Sequence, residues 1–125
     1  MSKHTFGKSD RLKSKQQIEK LFVDGNSFTE FPLKVIWRLI ETTNPSIQVA
    51  FSVPKNKLPK AVDRNHMKRL LRESYRQQNQ ALKSMVFENG KQLHVMLVFF
   101  DTELWDFIDL DNKISVTLER LQKKL

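Results

Sequence analysis

Apolar positions recur along this chain with a period that changes from segment to segment. Over residues 14–23, Ile18, Leu21 and Phe22 stand at helical spacing, with Ser14 as an N-cap before them and Gly25 as a stop after them, so a short helix is expected. Over residues 32–40 the period becomes two. Leu33, Val35, Trp37 and Leu39 alternate with Lys34, Ile36, Arg38 and Ile40, which predicts a strand with one wholly apolar face and one mixed face. Asn44, Pro45 and Ser46 read as a turn, and residues 47–53 as a second strand hairpinned to the first. Pro54 and Pro59 bracket a basic loop. From 60 to about 83 there is no Gly or Pro, and strong helix formers accumulate, so a long helix follows. A turn at Glu88, Asn89 and Gly90 leads into residues 93–100 (LHVMLVFF), the kind of continuous apolar run that fills a central strand covered on both faces. Residues 110–125 close the chain as a helix, with Ile114, Leu118, Leu121 and Leu125 on one stripe and Lys123 and Lys124 near its negative end. The order is helix, strand, strand, strand or loop, helix, strand, helix: a two-layer α/β (α+β) sandwich.

Length and composition narrow this picture. With 125 residues and 39% hydrophobic content the chain can bury one core, so one domain is expected over residues 1–125, preceded by a basic arm over about 1–13. No apolar run reaches the length of a membrane span, and the start is polar and basic, which leads us to expect a cytoplasmic protein with no membrane partner. The chain has no cysteine, which excludes disulfides, thiolate metal sites and Cys nucleophiles. His4, His66 and His94 are scattered over a basic tail, a basic helix and an apolar strand, so no paired-His nuclease site is expected. Asp101, Glu103 and Asp106 could suggest Mg²⁺ ligation, but acidic residues after a strand more often cap the next helix or solubilise the loop. We expect no catalytic residues and no metal site.

Charge gives the sharper signal. The formal net charge is +8, and residues 54–76 hold eight cationic residues against two acidic ones, while residues 101–112 hold five acidic residues and no Lys or Arg. On a helical projection Arg64, Asn65, Lys68, Arg69, Arg72 and Arg76 share an arc of roughly 140°, opposite Met67, Leu70, Leu71, Ser74 and Ala81. Like charges at i, i+4 repel by a few tenths of a kcal/mol per pair. Such a stripe is explained if phosphates neutralise it, since Arg presents a planar fork and Asn65 both donates and accepts. The pattern therefore points to nucleic acid. By itself it leaves open a ribosome-associated or other structural RNA-binding protein, or a helix that binds duplex DNA.

The string VAFSVPKNKLPKAVDRNHMKRLLRESYR, residues 49–76, resembles the signature of the bacterial ribonuclease P protein family. That family runs from a Ser-Val strand end through a basic loop into a helix that reads Ala-Val, Arg-Asn-Arg, Lys-Arg and Arg. Here Ser52, Val53, Lys55, Ala61, Val62, Arg64, Asn65, Lys68, Arg69 and Arg72 occupy those places. Phe6, Lys8, Arg11 and Leu12 resemble its Phe-x-Lys-x-x-Arg-Leu opening, and Phe22 with Gly25 its Phe-x-x-Gly helix end, so the likeness covers roughly residues 4–100. Two positions depart from the pattern. His66 replaces the second Arg of Arg-Asn-Arg, and Ile18 stands where an aromatic residue is common.

The resemblance implies a four-stranded sheet like the second domain of ribosomal protein S5, with a left-handed βαβ crossover. It implies a monomeric protein without its own cofactor that assists a catalytic RNA, whose bound Mg²⁺ serves the removal of the 5′ leader from pre-tRNA. It places Arg64, Asn65, Lys68, Arg69, Arg72, Arg76, Lys55 and Lys57 against that RNA, with Lys8 and Arg11 as N-terminal RNA contacts. The leader cleft would be lined by Phe22, Ile18, Lys34, Ile36 and Arg38. From the residue pattern alone, Phe22 reads equally well as an interior aromatic.

Overall fold

The computed structural model describes residues 7–125; Phe6 and the side chain of Lys8 lie outside the described residues. After a 3-10 turn at Lys8–Asp10 come α1 (Lys15–Asp24), β1 (Asn26–Glu30), β2 (Leu33–Glu41), β3 (Ser46–Ser52), α2 (Ala61–Gln78), α3 (Gln80–Glu88), β4 (Lys91–Phe99) and α4 (Phe107–Lys124). The mixed α+β architecture is as expected, and the strand order is β1-β2-β4-β3.

That order corrects the expected hairpin. β2 and β3 are consecutive but do not pair: β4 lies between them, antiparallel to β2 and parallel to β3. Pairing with both neighbours lets the most apolar strand bury both of its faces, which a β2–β3 hairpin would have left at the sheet's edge. The parallel β3–β4 pair is joined by a crossover through α2 and α3. β1 was not anticipated as a distinct strand, because its sequence NSFTE carries a single large apolar residue; Phe28 is buried and its neighbours are exposed. The long helix is also two helices. It breaks at Asn79, whose φ of −90° and ψ of 0° interrupt the helical path, and α3 then continues to Glu88.

Two cores lie on opposite faces of the sheet. The larger joins Leu33, Val35, Val49, Val95 and Leu97 to Met67, Leu71 and Tyr75 of α2, Leu82 and Val86 of α3, and Ile114, Leu118 and Leu121 of α4. The smaller lies under α1, where Leu21 packs with Leu12, Ile36 and Met96, flanked by Ile18, Ala50 and Val98. Gly25 ends α1 where the chain turns into β1. Any Cβ there would collide with the Leu21 carbonyl oxygen and crowd Ile36.

The exposed edge of β3 is partly covered by the N-terminal segment. Arg11 forms a parallel bridge with Val49, and the Leu12 amide donates to the Val49 carbonyl at 3.1 Å. This supplies partners to edge groups that would otherwise be open to unwanted strand pairing. At the other edge, Arg120 of α4 donates to the Thr29 carbonyl at 3.0 Å and to Glu30 at 2.7 Å, and stacks 4.6 Å from the Phe28 ring centroid. Among the described residues no helix is long and apolar enough to cross a membrane.

Candidate nucleic-acid interface

The basic loop is held by its own backbone. The amides of Lys57 and Leu58 both donate to the Pro54 carbonyl, at 3.1 and 3.2 Å, and Leu58 is buried as the loop's anchor. Arg64 then reaches back from α2, its Nη1 donating to the carbonyls of Leu58 at 2.9 Å and Pro59 at 2.7 Å. Part of this cation's donor capacity is thus spent on joining loop to helix. Lys55 is exposed, and Lys57 is half-buried, close enough for its charge to help hold the Asp101 carboxyl below its ordinary value, after the larger effect of the Trp105 hydrogen bond.

The rest of the stripe divides by partner. Asn65, Arg69 and Arg72 are exposed and Lys68 is half-buried. Arg76 is ion-paired with Glu73 one turn before it, its Nε 3.2 Å from Oε2, which neutralises that end of the stripe. The guanidinium of Arg69 lies 3.2 Å from His66 Nδ1. Arg72 turns toward the β3 edge, where it lines a notch of about 180 Å³ with Arg11, Leu12, Lys13, Val49, Ala50 and Phe51. The structure therefore brings Arg11 and Arg72, about 60 positions apart, to one place. It adds Lys13 and Phe51, neither of which sequence reading had selected. A signal for Lys13 was present: in Arg11-Leu12-Lys13 extended backbone buries Leu12 and turns both flanking cations outward.

On the other face, the residues expected to line the leader cleft are only partly assembled as an open groove. Phe22 is 59% exposed, which rules out the interior reading. Lys34 is exposed and Arg38 half-buried at either side of the α1 contact. Ile36, expected as a cleft wall, is instead closed beneath α1 at 7% exposure, and Ile18 packs against the same small core. The reason is the alternation of β2. Ile36 shares its face with Lys34 and Arg38, but it sits opposite Met96 at the point where Leu21 lands.

The acidic segment is used structurally. Asp101 accepts from the Trp105 indole at 2.7 Å, Asp106 caps α4 by accepting from the Asp109 amide at 2.8 Å, and Asp111 joins α4 to α2 through Ser74 at 2.5 Å and Gln78 at 2.9 Å. Among the described residues no group of three His, Asp or Glu is placed to hold a metal ion. His94, on β4 between Arg38 and Gln48, is buried with no partner for either ring nitrogen.

A small basic α+β protein is defined here, with a cationic loop and helix against one face of a four-stranded sheet and a short helix on the other. The fold matches solved ribonuclease P proteins. The one from Thermotoga maritima superposes with a TM-score of 0.68 at 22% identity, covering 88% of this chain and 96% of that one. The one from Staphylococcus aureus gives 0.66 at 20% identity, covering 91% and 96%. In sequence, the ribonuclease P protein component of Porphyromonas gingivalis is 34% identical over 120 residues, 94% of this chain and 88% of its own length. That of Chlorobium phaeobacteroides is 36% identical over 90 residues, 69% of this chain and 62% of its own. The profile of the family described as Ribonuclease P matches residues 6–121, and the chain belongs to that family.

Proposed function

We propose that this chain is the RNA-binding protein subunit of a ribonuclease P ribonucleoprotein, which promotes Mg²⁺-dependent removal of the 5′ leader from pre-tRNA. The catalytic RNA performs the hydrolysis, and the protein contributes binding. The observation that carries this reading is the cationic surface of α2, where Lys68, Arg69 and Arg72 continue into Arg11 and Lys13 at the β3 edge, within a chain that matches the family over residues 6–121. Such a surface lowers the repulsion between two polyanions by replacing condensed counterions. Lys55, Lys57, Arg64, Asn65 and Arg76 extend the contact to the RNA subunit, Arg64 chiefly by fixing the loop. The side of α1 that carries Phe22, with Lys34 and Arg38 nearby in the sheet, receives the single-stranded leader, where a base can stack on an exposed ring without a sequence code. The carboxylates of residues 101–111 that hold Trp105, cap α4 and join α2 are poor candidates for Mg²⁺, so no step is assigned to a metal on the protein.

Reconstitution tests this. The purified protein alone should leave pre-tRNA intact and should stimulate ribonuclease P RNA when Mg²⁺ is limiting. Cleavage at the mature 5′ end by RNA-free protein, or absence of stimulation with the RNA of the same organism, would overturn it.

A further inference from the structure

A second concavity lies on α2, apart from the notch shared with the N-terminal segment. It measures about 510 Å³ and is lined by Val62, Asp63, Asn65, His66 and Arg69. Its chemistry differs from that of a phosphate site. A guanidinium only donates, so in its 3.2 Å contact with Arg69 the His66 Nδ1 is the acceptor and Nε2 is left to face a ligand. The imidazole thus holds Arg69 toward this concavity and offers a donor of its own. Asp63 contributes a carboxylate, which repels phosphate and calls for a ligand carrying donors. Asn65 can serve either way. Val62 is 71% exposed, an apolar shelf with nothing packed on it.

We propose that this concavity binds an unpaired guanine of a partner RNA, an inference that rests on the RNA-binding reading above. Guanine carries the acceptors O6 and N7 on one edge and the donors N1–H and N2–H₂ on another, and both edges are free in single-stranded RNA. Arg69 and His66 Nε2–H address the acceptors, Asp63 the donors, and the ring lies on Val62. Adenine would set its N1 lone pair against the Asp63 carboxylate, and pyrimidines lack N7. His66 is the residue that makes the site selective. An arginine at this position could not accept from Arg69 and would leave two cations competing for one anionic partner.

The test uses the full chain and oligoribonucleotides of one length, uridine throughout except for a single central guanosine or adenosine, with guanosine 5′-monophosphate as the free-nucleotide arm. Fluorescence anisotropy at fixed salt should show about a tenfold preference for the guanosine oligomer. Asp63→Ala should abolish that preference without lowering affinity for the all-uridine oligomer, which should rise slightly as a carboxylate that repels phosphate is removed. His66→Arg, which restores the family's usual residue, should raise affinity for every oligomer and still lose the preference, a split that added charge alone does not produce. His66→Gln, whose amide oxygen can accept from Arg69, should keep most of it. Equal binding of guanosine and adenosine oligomers by the unaltered protein overturns the proposal, as does a preference that survives both Asp63→Ala and His66→Arg. Tight binding of the mononucleotide without preference among oligomers overturns the assignment to RNA. None of these outcomes depends on ribonuclease P RNA, so failure here is distinct from failure of the reconstitution.

Discussion

Arg64 and Arg72 lie on one stripe of α2 yet should respond differently to mutation, the first losing stability as well as affinity and the second affinity alone. Arg64 donates to two loop carbonyls, at 2.9 Å to Leu58 and 2.7 Å to Pro59. A hydrogen bond from a charged donor contributes about 1.5–3 kcal/mol in general. Here one of the two is solvent-exposed and a single nitrogen makes both, so the pair together contributes about that much. For a domain of this length 1 kcal/mol corresponds to roughly 3–6 °C, so Arg64→Ala should lower Tm by roughly 5–15 °C. RNA affinity should fall too, because Lys55 and Lys57 sit on the loop that Arg64 fixes. Arg72 is exposed at the rim of the notch. Arg72→Ala should leave Tm nearly unchanged, weaken RNA-subunit binding by about 1–3 kcal/mol and reduce the salt slope by about one. Arg64→Lys keeps the charge but replaces the fork with an ammonium, and should recover part of the affinity and less of the stability. Differential scanning calorimetry and binding titrations at several salt concentrations read all three. An unaltered Tm for Arg64→Ala, or an equal loss in both alanine variants, would refute the division of labour.

Two further outcomes follow from burial. Phe22→Leu should leave Tm within a degree or two, because the ring is 59% exposed, while affinity for pre-tRNA with a leader of several nucleotides drops by about 1–3 kcal/mol; equal losses for long and one-nucleotide leaders would remove Phe22 from the leader path. His94 is held below the ordinary imidazole range, first by burial and then by the Arg38 charge, so the folded protein takes up its proton less readily than the unfolded chain. Its contribution is therefore full above about pH 6.5 and is lost as the pH falls through that value toward the lowered folded one. Denaturant midpoints should decline from pH 7.5 to pH 5, and His94→Leu should flatten the decline; an identical slope in the variant would assign the effect to other groups.

The sequence carried much of this structure because its periods were unambiguous where burial was one-sided. α1, the apolar face of β2, the buried side of α2 and the stripe of α4 could each be read from spacing. Strand order could not, because pairing depends on which edge reaches which, and the β2 to β3 turn looks the same whether or not β4 intervenes. β1 escaped because one phenylalanine in five residues has no measurable period. Ala81, placed on the buried side by a single helical projection, is exposed on α3, since the break at Asn79 turns α3 away from the projection drawn through both helices. Side-chain direction was likewise beyond reach. Arg64 and Arg76 look like open cations in the sequence and are spent, in part, on Leu58, Pro59 and Glu73.

The insertion of β4 has a consequence for how the cations are shared. It pushes β3 to the edge of the sheet, and there the N-terminal segment can lie alongside it, with Leu12 bonded to Val49. Ala50 faces the α1 side of the sheet and Phe51 the α2 side, where its ring meets Tyr75 at 5.9 Å. Both line the notch with Arg11, Lys13 and Arg72. The cationic surface of α2 therefore passes around this edge and is not confined to one layer. Had β2 and β3 formed a hairpin with β4 outside them, β4 would have separated the N-terminal cations from α2. The register of one parallel pair, Val49 beside Val95, thus places the two groups of cations on one continuous path.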